Sequence, residues 1–207
     1  MFYVLRHGQT DWNAALRLQG STDIALNEIG REQARVAAQL LTGQGLTKIV
    51  ASPLSRARET AEIVGHAVGL EVETDPRLIE RNFGAFEGLT LPEVEVLRRD
   101  MGAIMNPEAD LDGRHYPLDA EPLSAVFKRV SSSLIDHRKN NAVSLFVFHG
   151  IPFRVVSKLY LGEMHTSPNA SPVRFEPVGD GWHMSPLDPG NTPLSQHQNL
   201  QTSMGRF

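Results

Sequence analysis

The sequence contains no cysteine and no large excess of charge of either sign, and both absences limit what the protein can do. Without cysteine there are no disulfide bonds, no thiol nucleophile and no thiolate metal ligand. Lys and Arg number 20 against 24 Asp and Glu, so the formal net charge is -4 and no basic surface for nucleic acid is expected. Any cation important for function must therefore act locally.

Long hydrophobic stretches are also absent. Only four apolar residues, Phe2 to Leu5, precede Arg6, which is too few for a signal peptide or a membrane span. We therefore expect a cytoplasmic protein that does not bind membranes. The apolar content of 41% is ordinary, and 207 residues suit one α/β domain that buries a core without disulfides or metal.

Short apolar runs alternate with helical patterns, which predicts an α/β fold with a mostly parallel sheet. Strands are predicted at 2–5, 48–51, 70–74 and 143–148, with edge strands at 173–178 and 182–184. Helices are predicted after Asn27, from an N-cap at Ser52 with Pro53 in the first turn to Val68, from Leu123, and from Ile151 to Leu161. On the first of these helices the predicted buried face carries Ile29, Val36, Ala37, Leu40 and Leu41.

The domain organisation is expected to be simple. Residues 1–185 form one domain, in which 75–119 are an insertion over the binding crevice, with a short helix at about 92–105. Residues 11–23 read as an irregular loop, and the polar segment 186–207 as a flexible C-terminal tail.

Two predicted strands end in a histidine followed by glycine. The first runs into Arg6-His7-Gly8, and the strand at 143–148 runs into His149-Gly150. Because ligands bind beyond the carboxyl ends of parallel strands, these side chains should face one crevice. Arg56 falls in the first turn of its helix, and guanidinium groups at a helix N-terminus match the oxygens of a dianionic phosphate.

A phosphate in this crevice suggests covalent chemistry. A neutral imidazole can attack phosphorus and form a phosphohistidine, which divides one difficult displacement into two easier ones. The arginines and a protonated second histidine would neutralise the transferring group, and a carboxylic acid would protonate the leaving alkoxide.

Five ordered blocks of sequence resemble the histidine phosphatase superfamily, branch 1, which includes the cofactor-dependent phosphoglycerate mutases. The blocks cover most of residues 1–162, so the resemblance is far more specific than the first block alone. They are Arg6-His7-Gly8-Gln9-Thr10, Leu26 to Ala34, Ser52 to Thr60, Leu78 to Gly88, and His149-Gly150.

This resemblance implies a three-layer α/β/α sandwich and a role for each matching residue. His7 would be the nucleophile, His149 the stabiliser of the transferring group and Glu80 the general acid. Arg6 and Arg56 would clamp the phosphate. The remaining binding residues implied are Asn13, Gly150 and Arg81.

Family members are either phosphatases or mutases, and the sequence favours a phosphatase. Arg81 fits the mutase pattern, but Phe83 lacks the hydroxyl found there, and the insertion between Glu80 and His149 is short. A more open site admits water, which hydrolyses a phosphoenzyme. A mutase-type phosphotransferase stays open as an alternative. A phosphate-binding scaffold without turnover is the other, since Ile151 replaces a glycine beside the pocket.

Several charged residues receive structural interpretations. Glu87 is interpreted as a carboxylate that caps backbone groups, Arg58 as a surface residue, and Arg98 with Arg99 as a solvated helix face. The remaining histidines lack the spacing of metal ligands, so neither a metal site nor a cofactor is predicted. The expected partner is a small phosphorylated metabolite, and a homodimer stays open.

Overall fold

The computed structural model describes residues 1–100, 116–139 and 142–187, and its centre is a six-stranded sheet. The strand order is β3-β2-β4-β1-β5-β6, with the first four strands parallel and the last two antiparallel. The strands are β1 (Phe2–Arg6), β2 (Lys48–Ala51), β3 (Val72–Thr74), β4 (Ser144–Phe148), β5 (Val173–Val178) and β6 (Gly181–Pro186).

Helices cover both faces of the sheet, because alternate residues of each central strand point to opposite faces. The helices are α1 (Asp11–Ala14), α2 (Glu28–Leu41), α3 (Ser55–Val68), α4 (Leu91–Asp100), α5 (Leu123–His137) and α6 (Gly150–Leu161). In β1, Tyr3 and Leu5 pack with α2 and α3, whereas Phe2 and Val4 pack with α5 and α6. The predicted three-layer sandwich is therefore confirmed.

The predicted buried face of α2 is only partly right. Ile29 and Val36 are exposed, and the buried positions are small residues, Gly30, Ala34, Ala37, Ala38, together with Leu41. A Cβ at Gly30 would lie 2.1 Å from the main-chain oxygen of Gln9, so the helix approaches the loop after β1 too closely for larger side chains. Close packing, and not hydrophobicity alone, thus decides which face of α2 is buried.

Two local predictions need correction. The α3 helix begins at Ser55 with Leu54 as its N-cap, so Ser52 does not cap it; the Ser52 hydroxyl instead contacts His149 and accepts from the Leu54 N–H. The loop at 11–23 begins with a short helix, α1, because Thr10 and Asn13 form a reciprocal capping box.

Other boundaries differ by one or two residues, and parts of two predictions fall outside the described residues. The helix predicted at 92–105 is α4, of which residues 101–105 lie beyond the description, as do residues 188–207 of the predicted tail. Pro186 ends β6, so the sheet reaches the first residue assigned to that tail. In the described part of the chain, no helix combines the length and apolar character needed to cross a membrane.

Candidate active site

The two strand-end histidines lie side by side. Strand β4 lies between β1 and β2 in the sheet, and the register pairs Arg6 with Phe148. His7 and His149 therefore follow paired residues of neighbouring strands, and their ring centroids are 5.1 Å apart. The sheet brings together residues that are far apart in the sequence, as the strand-end argument predicts.

His7 is buried and held as a neutral imidazole. Its Nδ1 lies 2.7 Å from the main-chain oxygen of Gly8, and since a carbonyl can only accept, Nδ1 carries the proton. Burial lowers the pKa of His7 well below its usual value, and Arg56 and Arg6 lower it further. The Nε2 lone pair is therefore available for attack on phosphorus.

His149 is neutral as well, with the opposite tautomer. Arg56 Nε donates to His149 Nδ1 across 3.2 Å, so the proton of the ring is on Nε2, which donates to Ser52 Oγ at 2.7 Å. Burial, followed by the charge of Arg56, lowers the pKa of His149 well below its usual value. In this structure the guanidinium occupies the nitrogen that would take a second proton, and a protonated second histidine during phosphoryl transfer stays a prediction.

Arg56 is fully buried in the first turn of α3 and is held by main-chain acceptors. Its Nη1 donates to Thr22 O and its Nη2 to Gly20 O, both at 2.8 Å, in addition to the bond to His149. Each Nη carries a second N–H. The guanidinium is thus fixed in position while it still has hydrogen atoms to offer to an anion.

Arg6 presents a second guanidinium to the same space. Its Nη1 donates to Ser167 O at 3.0 Å, whereas its Nε is buried and finds no acceptor among the described residues. A Cβ placed on Gly150 would make ordinary van der Waals contacts, at 3.9 Å from this Nε and 3.6 Å from Glu80 Oε2. Gly150 therefore lies beside a buried donor that could bind an anionic oxygen.

Glu80 lies at the N-terminus of α6, where backbone donors hold its carboxyl group. Oε2 accepts from Gly150 N at 3.0 Å, and Oε1 accepts from Ile151 N at 3.2 Å and from Arg81 N at 2.9 Å. Burial raises the pKa of Glu80, and these hydrogen bonds and the two arginines oppose the rise. A phosphate dianion beside it would raise this pKa further, which favours the protonated form that a general acid needs.

One cavity of about 390 Å³ joins most of the predicted residues. Six of them line it: Arg6, His7, Asn13, Arg56, Glu80 and Gly150. His149 is fully buried and does not line the cavity. It is connected to the lining residues by its hydrogen bond with Arg56. Asn13 Oδ1 accepts from Thr10 N, so its amide nitrogen is the part left to face a ligand.

Arg81 is placed elsewhere. Its guanidinium lies 4.0 Å from the ring centroid of Tyr116, and its Nε donates to Glu121 O at 2.8 Å. The side chain is buried between the segment after Glu80 and the segment before α5 and is not part of the cavity lining. A role for Arg81 in binding substrate stays a prediction.

Two residues that matter for the geometry were missed by the sequence reasoning. Asn169 Nδ2 donates to His7 O at 2.8 Å, and the Thr60 hydroxyl accepts from Gly8 N at 3.1 Å. Thr60 belongs to the Ser52 to Thr60 block, so that resemblance contained a signal. Asn169 lies in a loop before β5, and no sequence motif around it indicates a functional role.

Glu87 caps backbone N–H groups, as the sequence analysis predicts. The carboxylate accepts from the main-chain N–H groups of Ser21, Thr22 and Phe83, and so holds the loop whose oxygens anchor Arg56. Among the residues that the structure describes, no three His, Asp or Glu side chains are grouped to hold a metal ion.

Comparison with known proteins shows which family the chain belongs to. The family model for the histidine phosphatase superfamily (branch 1) matches residues 2–187. A relative from Yersinia pestis (strain Pestoides F), named "Probable phosphoglycerate mutase GpmB", is 37% identical over 166 residues, which cover 77% of this chain and 74% of the relative.

Two solved structures share the fold over most of the chain. Mycobacterial glucosyl-3-phosphoglycerate phosphatase, in complex with VO3, has a TM-score of 0.73 and 28% identity, covering 88% of this chain and 96% of its own. TTHB049 from Thermus thermophilus has a TM-score of 0.65 and 31% identity, covering 83% of this chain and 91% of its own. This protein belongs to branch 1 of the histidine phosphatase superfamily.

Proposed function

We propose that the protein is a metal-independent phosphatase that hydrolyses small phosphomonoesters through a phosphohistidine on His7. The observation that carries this proposal is the state of His7, whose hydrogen bond to Gly8 O and low pKa leave Nε2 unprotonated in a cavity lined by Arg6 and Arg56. A neutral nucleophile between two fixed cations suits attack on a phosphate dianion.

In the first step, His7 Nε2 forms a bond to phosphorus as the bond to the ester oxygen breaks. Arg6 and Arg56 neutralise the equatorial oxygens, and Glu80 gives its proton to the leaving alkoxide. His149 holds Arg56 Nε and so keeps the guanidinium in position.

In the second step, water attacks the phosphohistidine and the bond between Nε2 and phosphorus breaks. Glu80, now a carboxylate, accepts a proton from that water. Inorganic phosphate and neutral His7 are the products, and Glu80 is again protonated.

The alternative reaction is transfer of the phosphoryl group to a second position of a bound acid. The name of the Yersinia relative favours it, whereas the name of the mycobacterial neighbour favours hydrolysis. The short segment between Glu80 and His149 supports hydrolysis, because fewer residues are available to shield the phosphoenzyme from water. A phosphate-binding scaffold without turnover is the third candidate, and the presence of a complete catalytic set argues against it.

The test is release of inorganic phosphate from a panel of phosphomonoesters in the presence of a chelator, compared with His7→Ala. We expect turnover by the natural protein and at least about a thousandfold loss in the variant, as for removal of a nucleophile. Equal rates for the two proteins would exclude the enzyme. Phosphate binding without turnover would support the scaffold, and exchange between phosphoglycerate positions faster than phosphate release would identify a mutase.

A further inference from the structure

The proposed general acid, Glu80, lies on a stretch of chain without regular secondary structure. Residues 79–83 follow a short 3₁₀ helix at Pro76–Leu78 and belong to no helix or strand. A side chain on such a stretch is placed accurately only if other groups hold its backbone, because it has neither helical nor sheet hydrogen bonds. The backbone around Glu80 must therefore be fixed by residues from elsewhere in the fold.

Arg129 of α5 donates hydrogen bonds to three main-chain oxygens at and just before Glu80. Its Nη1 donates to Arg77 O at 2.8 Å and to Ile79 O at 2.6 Å, and its Nη2 donates to Glu80 O at 3.2 Å. The Arg129 side chain is only 16% exposed and does not line the cavity. It therefore contacts the backbone of Glu80 without being placed to touch a substrate.

Glu121, which precedes α5, fixes Arg129 in turn. Its Oε1 accepts from Arg129 Nε at 2.7 Å and its Oε2 accepts from Nη2 at 2.8 Å. Together with the three main-chain oxygens, these bonds give an acceptor to all five N–H groups of the guanidinium. Glu121 N also donates to Asn82 O at 2.9 Å, and Glu121 O accepts from Arg81 Nε at 2.8 Å. Arg129 and Glu121 thus hold the chain on both sides of Glu80.

The carboxyl group of Glu80, at the other end of the side chain, caps helix α6. The first N–H groups of a helix have no acceptor within it, and the N-cap residue His149 makes no side-chain capping bond. Gly150 N and Ile151 N instead donate to Glu80, at 3.0 Å and 3.2 Å. These two amides lose their acceptor if the carboxyl group moves, so they report its position.

We propose that Arg129 is a positioning residue for Glu80, and that its ion pair with Glu121 fixes the place from which Glu80 delivers a proton. This inference rests on the proposed phosphatase activity. An acid must lie within hydrogen-bond reach of the leaving oxygen, and a displacement of about 1 Å lowers the rate strongly. Arg129 thus acts on protonation of the leaving group. It does not act on phosphate binding, because Arg6 and Arg56 are held by other acceptors.

Arg129→Lys tests this role through its dependence on the leaving group. Lysine keeps the charge, but its three N–H groups share one atom and cannot replace the five bonds of the guanidinium. We expect kcat/KM for the most rapidly hydrolysed alkyl phosphate to fall at least about tenfold. The value for p-nitrophenyl phosphate, whose leaving group needs no proton, should fall less than about threefold, and inhibition by inorganic phosphate should stay within about twofold. Equal losses for the two esters would overturn the proposal.

A double variant shows whether Arg129 acts through Glu80. Once Glu80→Gln has removed the acid, adding Arg129→Lys should lower kcat/KM for the alkyl phosphate by less than about twofold. A loss as large as in the natural protein would contradict the proposal. Glu121→Gln leaves one oxygen for the guanidinium instead of two, and should give the same selective loss, at least about threefold, should Arg129→Lys fail to fold.

Arg174→Lys is the matched control. Arg174 makes an ion pair of similar length, 2.8 Å to Glu176 on the same strand, and holds no main-chain oxygen near Glu80. Its kcat/KM for both esters should stay within about twofold of the natural values. A selective loss in this variant like that in Arg129→Lys would contradict a specific role for Arg129.

Amide hydrogen exchange, measured by NMR, tests the position of Glu80 without turnover. In Arg129→Lys the amides of Gly150 and Ile151 should exchange at least about tenfold faster. The amide of His7, which donates to Phe148 O at 2.9 Å in the sheet, should keep its rate. Unchanged exchange at Gly150 and Ile151 would overturn the positioning role even in an active phosphatase. Faster exchange there supports it even if no ester is hydrolysed, so the two proposals fail separately.

Discussion

Arg56 donates a hydrogen bond from Nε to Nδ1 of His149, across 3.2 Å in the interior of the protein. The histidine must therefore be the acceptor, and its neutral ring positions the charged guanidinium. Phosphate-binding sites built this way keep their positive charge on arginine, which stays protonated under all ordinary conditions. The second histidine is then a support for the guanidinium as well as a neighbour of His7.

Arg56→Lys should abolish most activity although it conserves the charge. The guanidinium satisfies His149, Thr22 O and Gly20 O at once, and a single ammonium group cannot reach all three acceptors. We expect kcat/KM to fall at least about a hundredfold and the free energy of unfolding to fall by about 2–4 kcal/mol. Steady-state kinetics and urea unfolding measure the two effects.

Arg58→Lys is the matched control for that variant. Arg58 lies two positions along the same helix, is exposed, and pairs only loosely with Glu62 at 3.6 Å. Its substitution should change the free energy of unfolding by no more than about 0.5 kcal/mol and leave the kinetics unaltered. Similar losses in the two variants would contradict a specific role for Arg56.

Stability should decline in mild acid because of the two buried histidines. The pKa of His7 and of His149 is lowered in the folded protein, so below about pH 6.5 the unfolded chain binds protons that the folded chain does not. The free energy of unfolding therefore falls as pH decreases through this range, by up to about 1.4 kcal/mol per pH unit for each histidine. Urea unfolding between pH 7.5 and pH 5 gives the slope.

Replacing each histidine by glutamine should reduce that slope. Glu80, whose pKa is raised, contributes in the opposite direction, since its ionisation costs stability as pH rises above about 4.5. Comparison of each variant with the natural protein removes this contribution. Parallel stability curves for natural and substituted proteins would show that the histidines are not held neutral.

Glu80→Gln should damage the reaction in a way that depends on the leaving group. An alkyl alcohol needs a proton as it leaves, whereas p-nitrophenolate leaves readily without one. We expect kcat/KM for an alkyl phosphate to fall at least about a hundredfold and that for p-nitrophenyl phosphate to fall less than about tenfold. A uniform loss for both esters would indicate that Glu80 only supports the structure, and His7→Ala should remove both activities.

Asn169→Ala should reduce kcat more than it changes KM. The Asn169 amide donates to His7 O at 2.8 Å and lies 3.4 Å from Asn13 Oδ1, so it aligns the proposed nucleophile with a predicted phosphate ligand. Displacing a nucleophile slightly lowers the rate of attack without removing the groups that bind the substrate. We expect about a tenfold lower kcat, measured by phosphate release.

Ser133→Ala is a matched control for the loss of one buried hydrogen bond. The Ser133 hydroxyl donates to Asp75 at 2.7 Å, and neither residue lines the cavity. This variant should lose about 1 kcal/mol of stability and keep its kcat. If both variants lose stability and kcat in the same proportion, Asn169 has no particular effect on His7.

Local patterns in the sequence were sufficient for most of the elements and for the location of the site. The apolar run of β1 ends where Arg6 and His7 begin, and the run of β4 ends at His149, so the strand ends could be read from residues that are adjacent in the chain. Parallel packing then required these ends to meet. The ordered motifs identified the family and named Glu80, which no spacing could have distinguished from Glu87.

The contacts that only the tertiary structure revealed join residues that are distant in the sequence. Arg56 and His149 are separated by 93 positions, and Asn169 and His7 by 162, so no local pattern encodes these contacts. The buried face of α2 was misjudged because the approach of Gly30 to Gln9 favours small residues over hydrophobic ones. The sequence by itself determined which chemical groups end each strand. Only the packed structure decided their protonation, because a tautomer follows from the partner that burial places against each nitrogen.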